Sequence, residues 1–182
     1  CKIMRGMYPD LPLVGIEPAV KPAAQNHRGE KVAVMATPLT LHEEKFKQLV
    51  KRYENLATII PVPCPDLVEY VEKGILEGPE LEGYLKDVLK PCLQEGVKAV
   101  VLGCTHFPLV KAAIGKVVGE SVRIYDGGEG TARQAKCLLA AKNLCTDQEK
   151  GHICFESSAP EKEAYYEALY RKAAHIDSRV KL

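Results

Sequence analysis

Short apolar runs rich in β-branched residues alternate along this chain with amphipathic segments of helical period, and this alternation restricts the fold more than any other feature. Residues 11–16 and 31–36 read as buried strands, and residues 57–61, 97–102, 122–125 and 151–155 continue the set, with 97–102 the clearest. Between them, Phe46, Leu49, Val50 and Tyr53 recur at i, i+3, i+4 and i+7 in a helix expected over 41–53, with Thr40 and Glu43 as its capping box. A short helix is expected over 66–73. Leu81, Tyr84, Leu85, Val88, Leu89 and Cys92 then trace one face of a longer one. Further helices are expected over 109–118, 131–143 and 161–174, the last capped by Ser158 and Glu161. Each helix carries the chain back to the same end of a sheet, so the pattern predicts an α/β fold with a parallel sheet flanked by helices.

Charge and cysteine usage narrow the function. With 25 basic and 24 acidic residues the formal net charge is +1, which leaves no electrostatic footprint for nucleic acid or an anionic membrane. The apolar runs are too short to span a bilayer, and residues 1–30 interleave charges and prolines where a signal peptide would need an apolar core. A cytoplasmic protein is expected. Its 7 cysteines are odd in number, widely spaced and free of any C-x-x-C pair, so they read as reduced thiols rather than as a disulfide framework or a zinc ribbon. Gly127, Gly128 and Gly130 form a glycine-rich turn that matches neither phosphate-loop spacing.

Ligands of open parallel sheets bind beyond the carboxyl ends of the strands, so the residues that follow each strand are the candidates for chemistry. Thr37-Pro38-Leu39-Thr40, Pro63-Cys64-Pro65-Asp66, Gly103-Cys104-Thr105-His106 and Asp126-Gly127-Gly128 occupy those positions. Cys104 leaves a buried strand just before a helix whose N-terminal dipole would favour a thiolate, and His106 lies two residues on. A buried structural cysteine beside a capping threonine is the plain alternative, and spacing leaves both open. Thr37 and Thr40 offer hydroxyls to a carboxylate or an amine, although capping alone would account for Thr40. Glu72 reads as a solvated helix carboxylate, Cys64 as a loop thiol of either kind, and His27, His42, His152 and His175 as surface residues.

Four blocks in register resemble the glutamate racemases of the aspartate/glutamate racemase family, in their clostridial form. They are Val14-Gly15-Ile16-Glu17-Pro18-Ala19 with Lys21-Pro22-Ala23, Val34-Met35-Ala36-Thr37-Pro38-Leu39-Thr40, Cys64-Pro65-Asp66-Leu67-Val68-Glu69-Tyr70-Val71-Glu72, and Val101-Leu102-Gly103-Cys104-Thr105-His106-Phe107-Pro108-Leu109. The resemblance implies a cofactor-independent isomerase that interconverts L- and D-glutamate for peptidoglycan, using two cysteines on opposite faces of the substrate. It makes Cys104 one acid/base, His106 its proton-handling neighbour and Glu72 an assisting carboxylate. Thr37, Thr40 and Thr105 would lie along the substrate. No metal or cofactor is implied; the partner is the small molecule glutamate, and a homodimer is in keeping with the family.

The family's Asp-Ser-Gly-x-Gly-Gly motif and the Cys-Asn-Thr motif of its first cysteine have no counterpart here. The resemblance therefore leads to an expectation of one complete domain of a pseudo-symmetric two-domain racemase over 1–121. Residues 122–182 would be the C-terminal part of the other domain, and the N-terminal portion would be lacking. On that expectation the chain alone has little racemase activity. A non-catalytic module that binds glutamate or a partner is the alternative.

Overall fold

The computed structural model describes residues 2–146 and 152–179. In chain order the elements are α1 (Lys2–Met7), α2 (Val20–Asn26), β1 (Lys31–Ala36), α3 (Pro38–His42), α4 (Glu44–Tyr53), β2 (Thr58–Pro63), α5 (Leu67–Glu72), α6 (Pro79–Gln94), β3 (Ala99–Leu102), a 3-10 turn (Phe107–Val110), α7 (Lys111–Val118), β4 (Arg123–Tyr125), α8 (Gly128–Ala141), a second 3-10 turn (Pro160–Lys162) and α9 (Glu163–Arg179).

The strands form one parallel sheet in the order β2-β1-β3-β4. The chain moves outward from β1 to β2, then crosses back over β1 to reach β3. The direction of winding therefore reverses between β1 and β3, and a crevice opens at such a switch point at the carboxyl ends of the strands. Side chains alternate between the two faces of the sheet. Val32, Val34, Ala99 and Val101 pack with Val20, Ala23 and Ala24 of α2 and Phe46 and Leu49 of α4. Ala33, Met35, Val100 and Leu102 face the other way, onto Leu67 and Val71 of α5, Leu81, Leu85 and Leu89 of α6, and Ala113 and Ile114 of α7. Helices thus cover both faces, as a buried parallel sheet requires. At the outer edge, β2 carries two exposed prolines, Pro61 and Pro63, which edge strands tolerate.

Two compact units divide the chain. One combines Pro18–Asp126 with Phe155–Leu182, and the other combines Cys1–Glu17 with Gly127–Cys154. The expected boundary after residue 121 does not coincide with this division. Arg123, Ile124 and Tyr125 pair with Ala99, Val100 and Val101, so β4 belongs to the same sheet as β1 to β3. Leu169 of α9 is buried in that sheet's core.

Other local expectations also change. Residues 11–16 form no strand; Leu11 and Ile16 are about half exposed, because a short apolar run makes a strand only beside a ladder partner. Residues 152–155 form no strand either, and Gly151 lies outside the described residues. The helix expected over 41–53 is two helices, broken where Glu43 turns extended at φ −64° and ψ 136°. Its Thr40–Glu43 capping box does not form. Thr37 is the cap instead, its Oγ1 accepting the Thr40 N–H at 3.3 Å. At the start of α9, Glu163 accepts the Ser157 N–H at 3.1 Å and Ser157 Oγ accepts the Ala159 N–H at 3.1 Å, in place of the expected Ser158 and Glu161. His27 is also held rather than free at the surface. Its Nδ1 lies 2.6 Å from Glu30 Oε2 and its Nε2 lies 3.2 Å from the Tyr125 hydroxyl.

In the second unit, α1 leads into an extended segment, with the Arg5 guanidinium donating to the Leu13 carbonyl at 3.1 Å. Helix α8 begins where Thr131 Oγ1 donates to the Gly127 carbonyl at 2.6 Å. It ends at Ala141, and two residues on Asn143 has a φ of +54°, the left-handed conformation common after a helix C-terminus.

Candidate active site

Register sets the geometry at the carboxyl edge of the sheet. Ala36 pairs with Pro63 and Met35 with Leu102, so Thr37, Cys64 and Gly103 emerge from three adjacent strands at nearly the same level. Gly103 lies against β1: its N–H donates to the Met35 carbonyl at 2.7 Å, and a Cβ there would stand 2.8 Å from that oxygen. The chain then turns, with the Phe107 N–H donating to the Cys104 carbonyl at 3.2 Å. Phe107 and Val110 are fully buried and anchor the turn, leaving Cys104 and His106 half-buried at its surface. Glu72 is the last residue of α5, presented there because Leu67 and Val71 bury the opposite side of that helix.

These elements bring three side chains into line. His106 Nε2 lies 2.8 Å from Glu72 Oε1, and His106 Nδ1 lies 3.9 Å from Cys104 Sγ. An ionised carboxylate only accepts, so Nε2 carries the hydrogen and donates it to Glu72. In the neutral ring Nδ1 then keeps its lone pair, aimed at the thiol. In that tautomer the imidazole is able to accept a proton from sulfur. The 3.9 Å contact is long, though within the reach of a hydrogen bond to sulfur. The expected helix dipole is not what serves the thiol. Four 3-10 residues follow the turn and the α-helix begins only at Lys111, whereas a dipole acts within its own first turn.

Thr105 is exposed and joins Glu72 and His106 in lining a cavity of about 330 Å³, completed by Leu109, Tyr166, Leu169 and Tyr170. Thr37 and Thr40 stand at the end of β1, on the same edge of the sheet, but their hydroxyls meet each other at 3.0 Å rather than the Cys104–His106–Glu72 line. The three thiols of this unit divide clearly. Cys64 is fully buried, its S–H donating to the Val62 carbonyl at 3.4 Å. Burial, reinforced by the nearby Cys92, pushes its pKa up to about 12, so it remains a protonated thiol. Burial also raises Cys92, which donates to the Leu89 carbonyl at 3.1 Å. Only Cys104 of the three is open to a ligand. Sequence reasoning missed the tyrosines of α9, which lie more than ninety residues from Glu72 with no spacing signal to connect them.

The sequence profile of the Asp/Glu/Hydantoin racemase family matches residues 4–135. The glutamate racemase of Clostridium perfringens strain ATCC 13124 is 43% identical over 160 residues, a match covering 87% of this chain and 62% of that protein. That of Clostridium novyi is 45% identical over 151 residues, covering 82% of this chain and 58% of that protein. The chain thus spans about three fifths of the length of these curated relatives. A crystal structure of Escherichia coli glutamate racemase in complex with L-glutamate and the activator UDP-MurNAc-Ala superposes with a TM-score of 0.73 at 28% identity, over 93% of this chain and 65% of that one. The matched stretch takes in β1, β2, β3 and the whole Cys104–His106–Glu72 line, and the chain belongs to the Asp/Glu/Hydantoin racemase family, where the glutamate racemases are the members it resembles.

Proposed function

We propose that this chain carries one of the two proton-transfer faces of a cofactor-independent glutamate racemase, with Cys104 as the acid/base that meets the α-carbon of glutamate. The observation that carries the reading is the Cys104–His106–Glu72 line at the switch point of the sheet. Glu72 holds the His106 Nε2–H, and His106 Nδ1 accepts the Cys104 proton. The resulting thiolate takes the α-proton of glutamate, and in the reverse direction the thiol returns it to the same face. Thr105 beside His106, and Thr37 and Thr40 at the end of β1, supply hydroxyl and backbone donors for the substrate carboxylates.

Inversion needs a second acid/base on the opposite face of the α-carbon. The resemblance assigns that role to a Cys-Asn-Thr motif which this sequence does not contain. On this reading the chain alone exchanges the α-proton but racemises weakly, and in its full setting the reaction supplies D-glutamate for peptidoglycan within the cytoplasm. The relatives' names and the glutamate held by the Escherichia coli enzyme support glutamate as the substrate.

Proton NMR of D-glutamate with the chain in heavy water tests the reading. Loss of the α-proton signal that is abolished by Cys104→Ala is the expected result. Full racemisation would show that a second acid/base lies within these residues. Glutamate binding without exchange would make the site a binding module and overturn the catalytic reading.

A further inference from the structure

Glu72 sits where a short helix is weakest. Helix α5 has six residues, Glu72 is the last of them, and the carbonyls of a helix's final turn have no partners within the helix. Two donors from the far end of the chain meet this point. The Tyr165 hydroxyl donates to the backbone carbonyl of Glu72 at 2.5 Å, and Lys172 Nζ donates to that of Gly74 at 2.7 Å. Tyr165 and Lys172 are seven residues apart on α9, two turns along one side, so a single helix holds the chain at both residues. Gly74 has a φ of +71°, and a Cβ there would stand 3.4 Å from the Tyr165 hydroxyl oxygen, so the end of that side chain lies close against this turn. Helix α9 is itself fixed, with Leu169 buried in the core and Glu163 accepting the Ser157 N–H.

We propose that Tyr165 and Lys172 are positioning residues for the proton line, acting through Glu72. By fixing the backbone at residues 72 and 74 they hold the Glu72 carboxylate against His106, and through it the tautomer that faces Cys104. Neither residue is assigned any contact with substrate. The proposal rests on the proton-transfer role given to Cys104 above, and its test does not depend on glutamate turnover.

The test uses the full chain with Tyr165→Phe, Lys172→Met, both together, and Lys172→Arg as the conservative variant. Two readouts are followed: the imidazole Nε2–H proton signal of His106 by nitrogen-edited NMR, and the alkylation rate of Cys104 by iodoacetamide at neutral pH, resolved by peptide mass spectrometry. The expected result is loss of the His106 signal in the double variant, as in a Glu72→Ala control. Cys104 alkylation should slow about five-fold, the rate equivalent of one ordinary hydrogen bond, with Lys172→Arg close to the parent chain. Circular dichroism checks folding, and should one substitution unfold the chain, the other single variant tests the same positioning role through its own contact. A folded variant with an unchanged His106 signal and an unchanged Cys104 rate overturns the proposal, even if its thermal midpoint falls. Absence of glutamate exchange in the parent chain would instead strike the proposed function and leave these readouts intact.

Discussion

Gly103 and Met35 are in backbone contact across two strands: the Gly103 N–H donates to the Met35 carbonyl at 2.7 Å, and a β-carbon at residue 103 would lie 2.8 Å from the same oxygen. That oxygen belongs to a buried strand and cannot move aside as a flexible side chain would. Gly103→Ala should therefore destabilise the chain by about 1–3 kcal/mol, the usual cost of overpacking a tight site. A denaturant midpoint measures it. Cys104, the next residue, should be displaced with the loop, and its alkylation rate should change as well. An unaltered midpoint would mean that the loop relaxes freely.

The Glu72 carboxylate is expected to act on the thiol only through His106. His106→Ala should lower Cys104-dependent α-proton exchange by about 10²-fold or more, the usual contribution of a positioned proton acceptor. Glu72→Gln should lower it less, since the amide can still accept from Nε2–H but carries no charge. Both variants should keep the parent thermal midpoint within a few degrees, because the pair is partly open to water. Equal exchange in all three chains would remove His106 from the mechanism.

Cys64 gives the alkaline limb of stability a sign. Its pKa is about 12 in the folded chain against an ordinary value of 9.0. Below pH 9 the thiol is protonated in both states and contributes nothing to the pH dependence. Between pH 9 and 12 the unfolded chain releases the proton while the folded chain retains it, so stability falls as pH rises, by up to ~1.4 kcal/mol per pH unit. Cys64→Ala should flatten that limb in urea titrations between pH 8 and 10.5, although it lowers stability at neutral pH. Under native conditions at neutral pH, iodoacetamide should label Cys104 and leave Cys64 and Cys92 untouched until the chain unfolds.

Thr37 and Thr40 make unequal contributions to the end of β1. Thr37 Oγ1 accepts the Thr40 N–H, whereas Thr40 supplies that bond from its backbone. Thr37→Ala should cost about 1 kcal/mol through the lost cap, and Thr40→Ala distinctly less. Thermal melts of the two variants decide it. The reverse ranking would restore the capping box expected over Thr40 and Glu43.

The regular core was legible because its signals are periodic. The burial of Ala99–Leu102 and the helical face through Leu81, Leu85 and Leu89 can be read from residue type alone. The segment over 11–16 misled for a physical reason: apolar residues suit a strand, but a strand exists only where a neighbour offers hydrogen bonds. The candidate site was legible as separate residues rather than as a device. Cys104 and His106 are two residues apart in the chain, but Glu72 is 34 residues from His106 and looks like any solvated carboxylate until α5 is packed against the turn. Tyr165 lies 93 residues from Glu72 and donates to a backbone carbonyl, a contact that no residue pattern encodes.

The two prolines of β2 also decide how this sheet can grow. The Thr58 and Cys64 amides donate inward, to the Glu30 and Ala36 carbonyls, so the even-numbered positions of the strand face β1 and the odd-numbered ones face out. Pro61 and Pro63 fall on the outward side and have no N–H to offer, which leaves Ile59 as the outward donor of this strand. A strand from another chain laid along β2 would find carbonyls without a matching row of amides. Addition of a partner strand along the β2 border is therefore disfavoured.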